Sequence, residues 1–202
     1  VKAAIYLNCG LPFAPPEPAD FVICCDGAYS SCPVRPDLFV GDGDSAGGFP
    51  SDVPVLSHDS HKNFTDGESA VYFAREKGAD EIVFYGVTGG RYDHTLGNLA
   101  VMHLALDLGM RCKAVEGDCV IHGLSAALTP LFELRTGRGV TFSVVPHGGS
   151  AVITDAKGTE YPLDDLTLTP ADTRGISNVS AAESVSLRVV RGTAFLIVDA
   201  HA

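Results

Sequence analysis

Ile82-Val83-Phe84-Tyr85-Gly86-Val87-Thr88-Gly89-Gly90-Arg91-Tyr92-Asp93-His94 decides how the fold is read. Ile82–Tyr85 is a short apolar run with the look of a buried strand, and a glycine-rich turn releases it. A helix follows from about Asp93 to Leu108, with Gly109 as its stop. Leu96, Leu99, Ala100, Leu104 and Leu106 give that helix a broad apolar face, expected to be well buried. Strand, turn and helix in this order make the repeating unit of a parallel sheet.

The same alternation extends upstream. Lys2–Leu7, Phe21–Cys25 and Leu38–Val40 read as short strands. Val53–Leu56 suits an edge, because Pro54 has no N–H for a ladder. A helix fits Asp66–Lys77, capped by Thr65 or Asp66 and ended by Gly78, with Ala70, Val71, Phe73 and Ala74 as its apolar face. Beyond about Leu124 the texture changes. Val140–Val145, Ala151–Thr154, Ser184–Val190 and Ala194–Val198 are strand-like runs separated by Gly, Pro and Asp, with no helix-length period. That pattern predicts an antiparallel sandwich or barrel-like domain. The expected division is residues 1–125 and 126–202.

Composition narrows the function. The 202 residues are 46% hydrophobic and 19% charged, which excludes a disordered chain. Fourteen basic against 25 acidic residues leave a net charge of −11, which argues against a nucleic-acid or membrane-surface binder. An anionic substrate stays open, because a bound divalent cation reverses the local field. No run approaches the roughly 20 apolar residues of a spanning helix. Val1–Leu7 reads as a strand and lacks the parts of a signal peptide. Six cysteines, none in a C-x-x-C pair, are expected to be reduced and structural, as in a cytoplasmic protein.

Three stretches carry candidate chemistry. In Gly41-Asp42-Gly43-Asp44-Ser45, residues two apart point the same way, so Asp42 and Asp44 converge. Two carboxylates about 4 Å apart repel by roughly 4 kcal/mol at an effective dielectric of 20. A divalent cation removes that penalty, and oxygen ligands suit magnesium; a polar turn or a surface calcium loop explains the residues equally simply. Lys62-Asn63-Phe64-Thr65-Asp66-Gly67-Glu68 sits at a helix start, where an anion is favoured and Lys62 adds charge. Asp66 would be a third metal carboxylate there, or Thr65, Asp66 and Glu68 simply cap the helix. In Gly86–His94, the glycines form a phosphate cradle and Arg91 a two-pronged clamp, or the segment is an ordinary turn with Asp93 as cap and His94 buried. Asp26-Gly27-Ala28, after a strand, is by itself a turn. Together these turns gather at the carboxyl edge of a parallel sheet, where ligands bind. Several carboxylates, an arginine and a lysine at one edge suit magnesium and a polyphosphate, hence phosphoryl or pyrophosphoryl transfer.

The order of these motifs resembles the thiamine pyrophosphokinase family. The residues that carry the resemblance are Asp26-Gly27-Ala28, Gly41–Ser45, Lys62–Ala70, Gly86–Asn98 and, in the β-rich half, Gly175-Ile176-Ser177-Asn178. The resemblance implies a Rossmann-like α/β domain followed by a β-sandwich that binds thiamine and dimerises. It implies transfer of the pyrophosphoryl group of ATP to the hydroxyl of thiamine, releasing AMP, in a homodimer whose active site is shared between subunits. It assigns catalysis to Asp42, Asp44, Asp66 and Asp93, with magnesium on Asp42, Asp44 and Asp66. ATP falls to Asp26, Lys62, Thr65, Gly89, Gly90, Arg91 and Asn98, and thiamine to Ser177 and Asn178. The chain departs from the pattern at Asn63, where an acidic residue is usual, and at Gly43, where a larger residue is usual and a looser turn is expected. It has no Trp to set beside thiamine, for which Tyr161 or Phe195 is a stand-in. Other outcomes open at this point are a pyrophosphokinase for another heterocyclic alcohol and a non-catalytic nucleotide or thiamine sensor.

Overall fold

Apolar residues run without alternation through Ala3-Ala4-Ile5-Tyr6 and Ile82-Val83-Phe84-Tyr85, and all eight are buried. Strands covered on both faces read this way, and parallel sheets are covered on both faces. The computed structural model describes residues 1–57, 63–129 and 131–199. The fold is sheet-dominated with few helices, and the chain divides into two compact units, Val1–Gly117 and Asp118–Ala202. Cys119–Ser125 thus lies in the second unit. Cys119–Ser125 follows the parallel strands in sequence, but it pairs antiparallel with a strand from the end of the chain.

In the first unit the strands are β1 (Lys2–Tyr6), β2 (Phe21–Cys25), β3 (Leu38–Gly41), β4 (Val55–Ser57), β5 (Glu81–Tyr85) and β6 (Arg111–Glu116). They lie in the order β6-β5-β1-β2-β3-β4, each neighbour parallel. One face is packed by Ala4, Tyr6, Cys24, Val83 and Tyr85, with Tyr6 stacked on Tyr85 at 4.5 Å. Helix α1 (Asp66–Glu76) buries Ala70, Val71 and Ala74 and packs on β1, β2 and β3 and on α2 (Tyr92–Asp107).

The buried face of α2 matches the expected one only in part. Val101, Met102, Ala105 and Leu106 are buried; Leu99 and Leu104 are half-buried; Ala100 is exposed and Leu96 is 69% exposed. Apolar residues surround this helix, so its period could not tell the packed side from the open one.

The second unit holds β7 (Cys119–Ser125), β8 (Phe132–Arg135), β9 (Thr141–Lys157), β10 (Leu166–Leu168), β11 (Asn178–Val179) and β12 (Ser184–Asp199). Every pairing among its described residues is antiparallel. The paired runs expected at 140–154 and at 184–198 are each one continuous strand. Register shifts fall between Val189 and Arg191 and between Arg191 and Thr193, so the Gly192 region bends β12 rather than ending it. An apolar cluster that includes Phe142, Ile153, Leu168, Leu187 and Leu196 packs this unit.

Candidate functional site

Parallel pairing sets the site. Cys25 of β2 lies opposite Val40 of β3, so the chain leaves both strands at the same edge, into Asp26 on one side and Gly41-Asp42 on the other. Asp26 opens a 3-10 turn, Asp26–Ser31, with φ 38 in the left-handed region, and is 6% exposed. Asparagine and aspartate tolerate that conformation better than other side chains. The Asp26 carboxylate accepts the N–H of Ser45 at 3.1 Å and of Ala46 at 3.3 Å, so it closes the loop after β3. The turn at Gly43 is closed, not loose: its carbonyl accepts the Gly48 N–H at 2.9 Å.

Carboxylate oxygens of Asp26, Asp42 and Asp44 lie within 4.8 Å of one another, buried, half-buried and exposed in turn. Burial pushes the Asp26 carboxyl above its usual value, and the neighbouring Asp44 carboxyl adds to the push. Asp44 is held below its usual value by the Ser45 hydroxyl, which donates to it at 2.9 Å, and then by Asp26. Like charges this close separate their titrations, and a cation would relieve both. An all-carboxylate oxygen set fits a hard divalent ion such as magnesium.

The same three aspartates line a cavity of about 500 Å³ together with Thr65, Asp66, Arg91, Asp93 and Asn98. Asp66 lines the same cavity, and among the described residues it is Asp26 whose carboxylate lies within 4.8 Å of those of Asp42 and Asp44. Thr65 is the cap of α1, accepting the Glu68 N–H at 3.2 Å. Arg91 precedes α2 and grips Asp93 with two bonds, at 2.6 and 3.1 Å. The guanidinium holds the Asp93 carboxyl below its usual range. Asp93 also accepts the His94 N–H at 3.0 Å, and His94 is exposed rather than buried. Asn98 turns inward and donates to the carbonyls of Gly86 at 3.4 Å and Val87 at 3.1 Å, so it orders the turn that carries Gly89 and Gly90. Lys62 lies outside the described residues.

In the second unit Ser177 is exposed, with φ 56, and its N–H donates to the Ser143 hydroxyl at 3.0 Å. Asn178 is 1% exposed and its amide holds Tyr161 by donating to its carbonyl at 2.8 Å and accepting its N–H at 3.2 Å. Tyr161 is exposed, whereas Phe195 is buried beside His147, 4.9 Å between rings. Motif reading missed the cavity-lining Leu7, Asn8 and Cys25. The signal for them was position alone, the residues following or ending a parallel strand.

The cavity lies at the carboxyl edge of a parallel sheet, with several carboxylates and one guanidinium among its lining residues. The catalytic-domain model of thiamin pyrophosphokinase matches residues 16–114, and the vitamin B1 binding-domain model of thiamin pyrophosphokinase matches residues 131–193. The chain belongs to the thiamin pyrophosphokinase family. It is 26% identical to thiamine pyrophosphokinase 3 of Oryza sativa subsp. japonica, over 93% of this chain and 82% of that protein. It is 27% identical to thiamine pyrophosphokinase of Bacillus subtilis over 62% of this chain, a match that spans 58% of that relative's length. The solved Bacillus subtilis thiamine pyrophosphokinase shares the fold, with a TM-score of 0.81 at 21% identity over the whole of both chains.

Proposed function

We propose that this protein transfers the pyrophosphoryl group of ATP to the hydroxyl of thiamine, giving thiamine diphosphate and AMP. The observation that carries the reading is the carboxylate trio Asp26, Asp42 and Asp44 sharing one cavity with Arg91, in a chain of this family. Asp42 and Asp44, with Asp66 and Asp26 beside them, would hold magnesium, which when bound neutralises charge on the polyphosphate. Thr65, Gly89, Gly90, Arg91 and Lys62 meet the phosphates, and Asn98 orders the turn. The thiamine oxygen attacks the β-phosphorus, the bond from that phosphorus to the bridging oxygen of AMP breaks, and the hydroxyl proton leaves. Asp93, held below its usual range until Arg91 turns to the phosphates, is the proton acceptor. A loose transition state needs little more than that, because positioning and charge stabilisation do most of the work. Arg91 is already aligned for two-pronged contact and exchanges its carboxylate partner for phosphate oxygens.

We further take the first unit as Rossmann-like and catalytic and the second as a β-sandwich that binds thiamine through Ser177, Asn178 and the neighbouring Tyr161. The working form is a homodimer, one copy completing the site of the other. Six free cysteines support a cytoplasmic location. A panel of heterocyclic alcohols, offered with magnesium ATP while AMP is followed, tests the substrate. Thiamine should give the highest kcat/KM. Another alcohol active where thiamine is inert would reject thiamine as the substrate.

A further inference from the structure

The turn after β5 is gripped from opposite sides. From α2, Asn98 donates to the carbonyls of Gly86 and Val87, and the Thr95 hydroxyl donates to that of Gly89 at 3.4 Å. From the other side comes Glu116, the last residue of β6. Its Oε1 accepts the Val87 N–H at 2.7 Å, and its Oε2 accepts the Thr88 hydroxyl at 3.3 Å. Val87 is 1% exposed and lies beyond the end of β5. Its buried N–H therefore needs an acceptor from elsewhere. A third wall closes the turn: Gly86, at φ +76, sits where a Cβ would lie 2.4 Å from the Leu7 carbonyl oxygen.

Glu116 does not line the acidic cavity. It borders a separate one of about 260 Å³, with Cys9, Leu11, Phe13, Gly86 and Thr88. Burial pushes its carboxyl up, and the bonds from the turn pull it back. A half-buried carboxylate is costly unless it is hydrogen-bonded, and Glu116 spends its oxygens on the turn that leads to Gly89, Gly90 and Arg91.

We propose that Glu116 is a positioning residue for the nucleotide site: its carboxylate anchors the start of the glycine-rich turn and so sets where Arg91 enters the acidic cavity. The proposal rests on reading that cavity as the ATP site. Contacts that only orient a ligand-binding group are nonetheless felt in affinity.

The test is calorimetric titration of the full chain with magnesium ATP. Glu116→Gln keeps the size but removes the charge and leaves one acceptor oxygen for the turn, so the bonds from the Val87 N–H and the Thr88 hydroxyl cannot both be accepted as they are in the wild type. It should weaken binding about tenfold or more and leave the KM for thiamine unchanged. Thr88→Val, the milder change, should weaken it about threefold. Lys113→Met, on the same strand, removes the ion pair with Glu17 and should lower stability without changing nucleotide affinity. Wild-type affinity in Glu116→Gln and Thr88→Val, or an equal loss in Lys113→Met, would overturn the proposal. Wild-type protein that binds magnesium ATP but forms no AMP would refute the proposed reaction and leave the comparison of variants standing. Failure of wild-type protein to bind magnesium ATP would overturn both.

Discussion

A Cβ placed on Gly41 would lie 2.7 Å from the Cβ of Asp26. The two residues follow neighbouring parallel positions on β2 and β3, and the missing side chain of one makes room for the carboxylate of the other. Gly41→Ala must therefore move Asp26 or the β3 edge, and Gly41 also has a φ of +155. The expected cost is more than about 1 kcal/mol of stability, with weaker magnesium binding. Urea unfolding and calorimetry with magnesium alone check the two parts separately.

Asp42 and Asp44 are half-buried and exposed, and neither supports the core. Asp42→Asn and Asp44→Asn should fold normally while losing turnover on the order of a thousandfold. Circular dichroism and steady-state AMP formation make the comparison. Near-normal activity in both would remove the metal from this loop.

Glu17 lies between two ammonium groups, at 2.9 Å from Lys2 and 2.6 Å from Lys113. Burial pushes its carboxyl up, but hydrogen bonds from Lys113 and Lys2 outweigh that and hold it below its usual value. The folded state thus binds the proton more weakly than the unfolded chain. The resulting stability is present above the unfolded value and disappears as pH falls through the lower folded one. Glu17→Gln should be less stable by about 1 kcal/mol near neutral pH, with the difference closing in acid. Urea midpoints at several pH values read this directly.

Asn178 and Ser177 are neighbours with opposite environments. The buried Asn178 amide serves the backbone of Tyr161 and Val179, so Asn178→Ala should destabilise the protein by about 2 kcal/mol or more. Ser177→Ala should leave melting unchanged and raise the KM for thiamine. Thermal melts set beside thiamine kinetics distinguish the two roles.

The parallel half was legible because its strands are short apolar runs and its turns carry glycine and aspartate. Thr65 as a cap and the ends of α1 follow from the same signals. Long-range facts were not legible. Asp26 by itself reads as a turn, and only the pairing of β2 with β3 brings its carboxylate beside Asp42 and Asp44; Leu96 reads as core, but the packing of α2 leaves it exposed. In the antiparallel half, Gly148 and Gly192 both have positive φ within β9 and β12. Glycine there marks bends in continuous strands, where local reading expects the strands to stop.

The central claim is tested most directly with ATP labelled at the γ-phosphorus, incubated with the protein, magnesium and thiamine. The account predicts label in thiamine diphosphate and unlabelled AMP in equal amount. Labelled thiamine monophosphate with ADP, or label released only as inorganic phosphate, would contradict it.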